Sequence, residues 1–195
     1  MDARHVVAHG ADALGLVFYD NSPRCVSIEQ AREIVETVPA FISSVALFVD
    51  AEPAYIETVL QHVNIDIIQF HGDESPQTCA RYGKRYIKAV SMRDDVDLVA
   101  ISKQYMQASA LLVDSYRPGI PGGTGEVFDW QRIPSNLDKP VILAGGLDAG
   151  NIETAISTVQ PYAVDVSSGV ERDKGIKDEG KIESFMRGVN SVKSK

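Results

Sequence analysis

Cysteine is scarce in this 195-residue sequence, and its two cysteines are far apart. Cys25 and Cys79 form neither a Cys-x-x-Cys pair nor part of a metal-ligand cluster. The four histidines show no His-x-His or His-Glu-x-x-His spacing, so the sequence predicts no metal site. Isolated cysteines are typical of a reducing compartment, and we expect a cytoplasmic protein.

Long apolar runs and blocks of basic residues are also missing. No run approaches the roughly 20 apolar residues that cross a bilayer, and the first ten residues lack the apolar centre of a signal peptide. The net charge is −8, whereas binding to a phosphate backbone needs clustered lysine and arginine. With 44% apolar and 24% charged residues, the composition is that of an ordinary globular protein. We therefore expect one domain, residues 1–195, that binds neither nucleic acid nor membrane.

Short apolar runs alternate with amphipathic segments along the whole chain. The apolar runs, each typical of a buried strand, are Ala13–Phe18, Ser44–Val49, Ile65–Gln69, Arg85–Val90, Ala110–Asp114, Val141–Ala144 and Ala163–Val166. The predicted helices are Asp2–His9, a helix capped by Ser27 that runs to about Val38, Glu52–His62, Ser75–Tyr82, Asp94–Met106, Asn151–Val159 and Asp178–Val192. One helix followed by seven βα units indicates an α/β fold with a parallel sheet and right-handed crossovers.

Two architectures fit this alternation: an open doubly wound sheet and a (β/α)8 TIM barrel. The open sheet would carry a glycine-rich turn after its first strand, but Tyr19–Pro23 contains no glycine. Small-residue turns instead follow the last two strands, at Gly145-Gly146 and Ser167-Ser168-Gly169. Barrels bind phosphate at those two positions, because backbone N–H groups there can approach an anion closely. The barrel is favoured, although only seven of its eight strands are predicted. Each turn taken alone could also be an ordinary tight connection.

The strand Ala110–Asp114 ends on an acid and is followed by a segment rich in proline and glycine, residues 118–125. Helix-compatible sequence resumes near Asp129 and Trp130. Parallel α/β proteins place their chemistry in such loops at strand ends. Asp114 is therefore a candidate general acid or base, and the alternative is a helix-capping or loop-closing aspartate.

Three further residues are candidates for contacts with a ligand. Arg24 lies in the loop after the first predicted strand and could hold a carboxylate with two hydrogen bonds; the alternative is a solvated arginine. His71 could contact polar groups of a substrate or lie on the surface. Asp165 lies within the apolar run AVDV, and a charge in a buried strand is costly unless it is paired, so we expect it at the mouth of the barrel.

Several segments resemble the phosphoribosylanthranilate isomerase family of tryptophan biosynthesis. They are GADALGLVFYDNSPR, IIQFHGDE, ALLVDSYRPGIPGGTGEVFDW, VILAGGLDAGNIETAI, AVDVSSGVE and GIKD. The resemblance implies an Amadori rearrangement of N-(5-phosphoribosyl)anthranilate to 1-(2-carboxyphenylamino)-1-deoxyribulose 5-phosphate, without cofactor or metal. It implies a small phosphosugar substrate as the partner and a monomer, with a homodimer as the alternative.

The resemblance also assigns roles to the candidate residues. Asp114 matches the general acid that protonates the ring oxygen of the furanose. Arg24 would face the anthranilate carboxylate, and His71 and Asp165 match positions that line the site. The phosphate loops correspond to Gly145, Gly146, Ser167, Ser168 and Gly169.

One departure from the family is serious. The family's general base is a cysteine in a Lys-x-Cys-Gly-x-Thr motif that ends the first strand, and neither that motif nor that strand occurs in these 195 residues. We therefore expect a barrel that is truncated at its N-terminus, with only strands two to eight encoded, and a chain that is inactive for lack of its base. The alternative functions are a non-catalytic phosphosugar-binding or assembly protein and a different phosphosugar enzyme, such as an epimerase or a related isomerase of the histidine pathway.

Overall fold

The computed structural model describes residues 2–115 and 128–193. In these residues the chain has an α/β fold with seven strands in its main sheet and a separate two-stranded hairpin. The chain divides into two compact units, one that runs to Ile87 and one that begins at Lys88. The segment predicted as a glycine-rich loop, residues 118–125, lies outside the described residues. The prediction of a single domain remains a prediction.

The first unit alternates helices and strands as the sequence predicts. Its elements are α1 (Asp2–Ala8), β1 (Ala13–Val17), α2 (Ile28–Glu36), β2 (Ser43–Phe48), α3 (Pro53–His62), β3 (Ile67–Phe70) and α4 (Pro76–Ala80), followed by the start of β4 (Arg85–Met92). Strand β2 pairs in parallel with β1 and with β3. Each predicted strand is present, with ends shifted by one or two residues.

Local sequence signals account for the helix ends in this unit. Ser27 caps α2: its hydroxyl accepts from the Gln30 amide at 3.2 Å, and the Gln30 side chain accepts from the Ser27 amide at 2.9 Å. This reciprocal pair satisfies two amides that the first helical turn leaves without partners. Gly10 follows α1 with a φ of 95°, a conformation that favours glycine. These contacts confirm the capping role predicted for Ser27.

Aromatic rings form much of the first unit's core. Phe18 and Phe48 stack with ring centroids 5.4 Å apart, and Tyr55 of α3 meets Phe48 edge-on at 6.2 Å. Phe70, at the end of β3, packs edge-on against Tyr86 at 5.9 Å. Phe48 and Phe70 are fully buried, so the last residues of β2 and β3 contribute to the core of this unit.

The second unit contains the remaining elements. They are the end of β4, α5 (Leu98–Gln104), β5 (Ala110–Ser115), β6 (Val141–Leu143), α6 (Ile152–Val159), β7 (Ala163–Val164), the hairpin strands β8 (Glu171–Asp173) and β9 (Ile176–Lys177), and α7 (Glu179–Lys193). Strand β6 pairs in parallel with β5 and with β7. An apolar cluster of Val90, Met92, Leu98, Leu111 and Val113 joins β4, α5 and β5.

Four details of the second unit differ from the prediction. Helix α5 begins at Leu98 and not at Asp94, because the Asp97 side chain accepts from the amides of residues 99 and 100 and caps it there. Near Asp129 the chain forms only a short 3-10 turn, Trp130–Arg132. The antiparallel hairpin β8–β9 is absent from the prediction. Strand β7 stops at residue 164, two residues early, since its partner β6 ends at residue 143.

Candidate active site

Asp114 lies near the carboxyl end of β5 and is almost completely shielded from solvent, with 4% of its surface exposed. The neighbouring Ser115 is equally buried, and its hydroxyl donates to Oδ1 of Asp114 across 3.4 Å, a long hydrogen bond. A carboxyl group in this position is oriented by the strand and by a neighbouring hydroxyl.

The turn after β6 passes directly over this carboxyl group. Gly145 and Gly146 have φ values of 81° and 65°, which residues with side chains rarely adopt. A Cβ atom at Gly145 would overlap the Ser115 amide nitrogen and lie 2.6 Å from Oδ1 of Asp114. Glycine is therefore required at residue 145 both by backbone conformation and by the closeness of the carboxyl group.

The turn after β7 packs against the turn after β6. A Cβ atom at Gly169 would overlap the Leu147 carbonyl, so the backbones of the two turns are in direct contact there. At the start of α6, Asn151 donates from its side-chain amide to the Gly146 carbonyl at 2.8 Å. Two turns that lie far apart in the sequence thus form one small surface.

A small open cavity lies where β5, β6 and β7 end. Its lining residues come from the ends of these strands and from both turns: Asp114, Ala144, Gly145, Gly146, Leu147, Asp165, Val166, Ser167 and Ser168. The structure therefore brings six of the predicted site residues together, and Gly169 supports them from behind. A buried carboxyl group beside close-packed small residues provides a proton-transfer group next to a surface of backbone amides.

Asp165 reaches this cavity in a different way from the one predicted. The prediction that it sits within a buried strand is wrong, because β7 ends at Val164 and Asp165 is exposed. Its amide still donates to the Leu143 carbonyl at 2.8 Å, which fixes its backbone at the end of the sheet.

The structure places Arg24 in the loop that follows β1. The loop is tight. The Arg24 amide donates to the Ser22 hydroxyl at 3.1 Å, and the backbone of Cys25 forms an isolated parallel β-bridge with Val17 at the end of β1. Arg24 itself is half-buried. It lies in the first unit and Asp114 lies in the second.

His71 follows β3 in the same unit. Its amide donates to the Phe48 carbonyl at 2.8 Å, and its Nδ1 lies 3.2 Å from the side-chain nitrogen of buried Gln69. Buried Glu74 accepts from the Gly72 amide, with its two oxygens at 3.2 and 3.0 Å, and from the Asp50 amide at 3.0 Å. The carboxylate of Glu74 thus organises the loop that presents His71.

Neither cysteine is set up for catalysis. Burial, with a further contribution from the nearby Asp20 carboxylate, raises the pKa of the Cys25 thiol, so it keeps its proton at neutral pH. Cys79 is buried in α4, and its thiol points towards the Glu74 carbonyl at 3.8 Å. Neither position provides a thiolate that could act as a general base.

Some residues that shape the site have no sequence signal of their own. Ser115, Asn151 and Glu74 are single polar residues whose partners lie across a turn, and Lys177 contacts the turn after β7. In residues 2–115 and 128–193, no group of three or more His, Cys, Asp or Glu side chains is arranged to hold a metal ion. None of the helices described is long and apolar enough to cross a membrane.

Parallel strands, an acid at a strand end and two small-residue turns at one cavity define the class of α/β proteins that act on small molecules at the carboxyl ends of their strands. A family model described as N-(5'phosphoribosyl)anthranilate (PRA) isomerase matches residues 1–188, and the chain belongs to that family.

Relatives of known name agree with this membership. The chain is 56% identical to N-(5'-phosphoribosyl)anthranilate isomerase of Nitrosococcus oceani over 98% of this chain and 93% of that protein. It is 53% identical to the protein of the same name from Pseudomonas putida over the same shares of the two chains.

Solved structures of the family have the same fold. The crystal structure of phosphoribosyl anthranilate isomerase from Thermotoga maritima superposes with a TM-score of 0.89 at 37% identity, over 97% of this chain and 93% of that one. Another, with a TM-score of 0.82 and 34% identity over the same shares, holds reduced 1-(o-carboxyphenylamino)-1-deoxyribulose 5-phosphate. The α/β class predicted from the sequence is thus confirmed.

Proposed function

We propose that the chain carries out the Amadori rearrangement of N-(5-phosphoribosyl)anthranilate to 1-(2-carboxyphenylamino)-1-deoxyribulose 5-phosphate in tryptophan biosynthesis. Family membership supports the reaction, as do relatives named for it and a family structure that holds a reduced form of the product. The observation that carries the proposal is the shared cavity: buried Asp114 and the two small-residue turns line the same space.

In this proposal Asp114 is the general acid. Its carboxyl group gives a proton to the ring oxygen of the furanose, the bond between C1 and that oxygen breaks, and the nitrogen lone pair forms the C1=N bond of a protonated Schiff base. Removal of the C2 proton then returns electrons to nitrogen and leaves an enol, which becomes the ketose. The substrate and the product contain the same atoms and the same number of electrons, so the rearrangement needs no redox partner.

The other candidates bind the substrate. The phosphate lies against the amides and hydroxyls of Gly145, Gly146, Ser167, Ser168 and Gly169, where close backbone approach favours an anion. Arg24 holds the anthranilate carboxylate with paired N–H groups. His71 and Asp165 contact the sugar and its hydroxyls.

The acid role has a direct test in Asp114→Asn, which keeps the size of the side chain and removes the proton donor. Measured in a version of the chain extended at its N-terminus by the Lys-x-Cys-Gly-x-Thr motif, turnover should fall by about 10²–10⁴-fold while inorganic phosphate still binds. Asp173→Asn, at an exposed position of the hairpin, is the matched control and should retain turnover. Full activity in Asp114→Asn would remove Asp114 as the acid.

The general base is the missing component. We propose that the fold is a (β/α)8 barrel whose first strand and Lys-x-Cys-Gly-x-Thr motif are not among these 195 residues. The pairing of β1 supports this, since its described ladder partner is β2 alone. A coupled assay should compare the chain with a version that is extended at its N-terminus by that motif.

Turnover in the extended version alone supports the missing base. Turnover in both versions refutes the role given to the absent cysteine. Phosphate binding without turnover in either version identifies the second candidate, a non-catalytic phosphosugar-binding protein, which the absent motif favours. We further propose that the protein is a cytoplasmic monomer. Size-exclusion chromatography with light scattering tests the oligomeric state, and a mass of two chains would contradict the monomer; one solved relative is described as monomers generated from a dimeric isomerase.

A further inference from the structure

The motif Gly175-Ile176-Lys177-Asp178 has no role in the function proposed above. It forms the second half of the hairpin β8–β9, which begins directly after the turn at Ser168–Val170. Gly175, with a φ of 81°, lies in the connection between the two strands. The motif therefore returns the chain to the turn that lines the cavity.

Lys177 makes two contacts from its terminal nitrogen. It donates to the Ser167 carbonyl at 2.9 Å and to the Glu171 carboxylate at 3.2 Å. The Glu171 side chain is only 5% exposed, and a buried carboxylate is costly unless a cation or hydrogen-bond donors compensate for it. Glu171 thus fixes the ammonium group of Lys177 against Ser167.

The rest of the hairpin is anchored independently. Lys181 donates to the Glu171 carbonyl at 2.6 Å, and the Asp178 amide donates to the Val170 carbonyl at 2.9 Å. The Lys177 ammonium is the charge of this cluster that contacts the turn directly, and the Glu171 carboxylate lies 3.2 Å from it. Because the anchors do not involve the Lys177 side chain, the hairpin can persist when that side chain is changed.

A nearby positive charge would strengthen the binding of a phosphate in the cavity. The nine described residues that line it include two carboxylates, Asp114 and Asp165, and neither lysine nor arginine. A phosphate monoester carries nearly two negative charges at neutral pH, and like charges at short range oppose binding. A positive charge behind this described lining would favour a bound phosphate, and the Lys177 ammonium donates to the backbone carbonyl of lining residue Ser167.

We propose that Lys177 is a positioning residue of the phosphate site. Its ammonium group holds the Ser167 carbonyl back into the hairpin, keeps the amides of the Ser167–Gly169 turn facing the cavity, and offsets the charge of the bound phosphate. This inference rests on the phosphate site of the proposed function.

The test measures binding of inorganic phosphate by calorimetry to the full chain and to its variants, with folding followed by circular dichroism. We expect Lys177→Met to weaken binding by roughly tenfold or more, as loss of a hydrogen bond to a charged group implies. Lys177→Arg should bind within about threefold of the wild type, because the positive charge and a donor remain. Lys174→Met, which removes an exposed lysine of the same hairpin, is the matched control and should bind unchanged.

Lys177→Gln separates the effect of the hydrogen bond to Ser167 from the effect of the positive charge, because glutamine keeps an N–H donor and lacks the ammonium group. Its affinity should lie between those of the methionine and arginine variants. In the version that turns over substrate, Lys177→Met should raise KM and leave kcat within about twofold, the signature of lost binding rather than lost chemistry. A variant that merely destabilised the fold would lower the melting temperature without raising KM at nearly constant kcat.

The outcomes separate this inference from the function on which it rests. No phosphate binding by the wild type overturns both. Wild-type binding that Lys177→Met leaves unchanged overturns the role of Lys177 alone. If both Lys177→Met and Lys177→Gln fail to fold, Lys177 stabilises the structure and the positioning role is refuted.

Discussion

Gly145 is the residue at which the backbone and the candidate acid constrain each other most tightly. In Gly145→Ala the new methyl group meets the Ser115 amide nitrogen, which belongs to a buried strand and cannot swing away, and comes 2.6 Å from Oδ1 of Asp114. A left-handed backbone costs an alanine about 1–2 kcal/mol, and overpacking a tight site costs about 1–3 kcal/mol more. The variant should therefore lose about 2–5 kcal/mol of unfolding free energy.

Gly83 supplies a matched control for this experiment. Its φ is also positive, at 63°, but a Cβ atom there would meet nothing within 4 Å. Gly83→Ala should therefore cost only the conformational part, about 1–2 kcal/mol. Urea denaturation of the two variants and the wild type measures the difference, which isolates the contact at Asp114.

The two variants should also differ in function. Gly145→Ala displaces the carboxyl group, so it should abolish turnover in the version that carries the general base, whereas Gly83→Ala should not. If Gly145→Ala costs no more unfolding free energy than Gly83→Ala, the close approach of the β6 turn to Asp114 is wrong. The placement of Asp114 and Gly145 around one cavity would then be wrong as well.

Three smaller predictions concern single contacts. Ser27→Ala should cost about 1 kcal/mol in urea denaturation, because it removes the cap of α2; no change would contradict the capping box. The hydrogen bond from the buried Ser44 amide lowers the pKa of the Asp66 carboxyl. The stabilisation that Asp66 provides is therefore present above a carboxyl's ordinary pKa of about 4, and it is lost as the pH falls through the lowered pKa of the folded state. Asp66→Asn should therefore be less stable than the wild type at pH 7, with the gap closing in acid, and a gap that is constant with pH would refute the linkage. Cys25→Ser should leave turnover in the extended version within about twofold, and a large loss would give this thiol a role.

Features that depend on local chemistry were predictable from the sequence. The alternation of strands and helices follows from hydrophobic periodicity, and each predicted strand of the main sheet is present. The turns at Gly145 and Gly169 were recognisable because a close backbone approach excludes side chains wherever it occurs. These are the features for which a few neighbouring residues determine the conformation.

Features that depend on distant partners were not predictable in the same way. Strand β7 reads as four residues, yet its pairing with β6 stops at Val164, opposite Leu143, and Asp165 beyond it is exposed. The hairpin β8–β9 is built from only five residues, and a charged pair, Glu171 with Lys177, supports it. No hydrophobic period marks such a hairpin, so it became visible only in the structure.

A cysteine can act as a general base only when its thiol is deprotonated and faces the substrate. A base must lose its own proton first, whereas burial and the Asp20 carboxylate raise the pKa of the Cys25 thiol and favour the protonated form. The thiol is also directed at its own loop, 3.7 Å from Asp20 and 3.9 Å from the Val26 carbonyl. Cys79 is buried in a helix. Since neither thiol is arranged to take the C2 proton, the chemistry proposed here requires another base, and comparison with the extended version tests this.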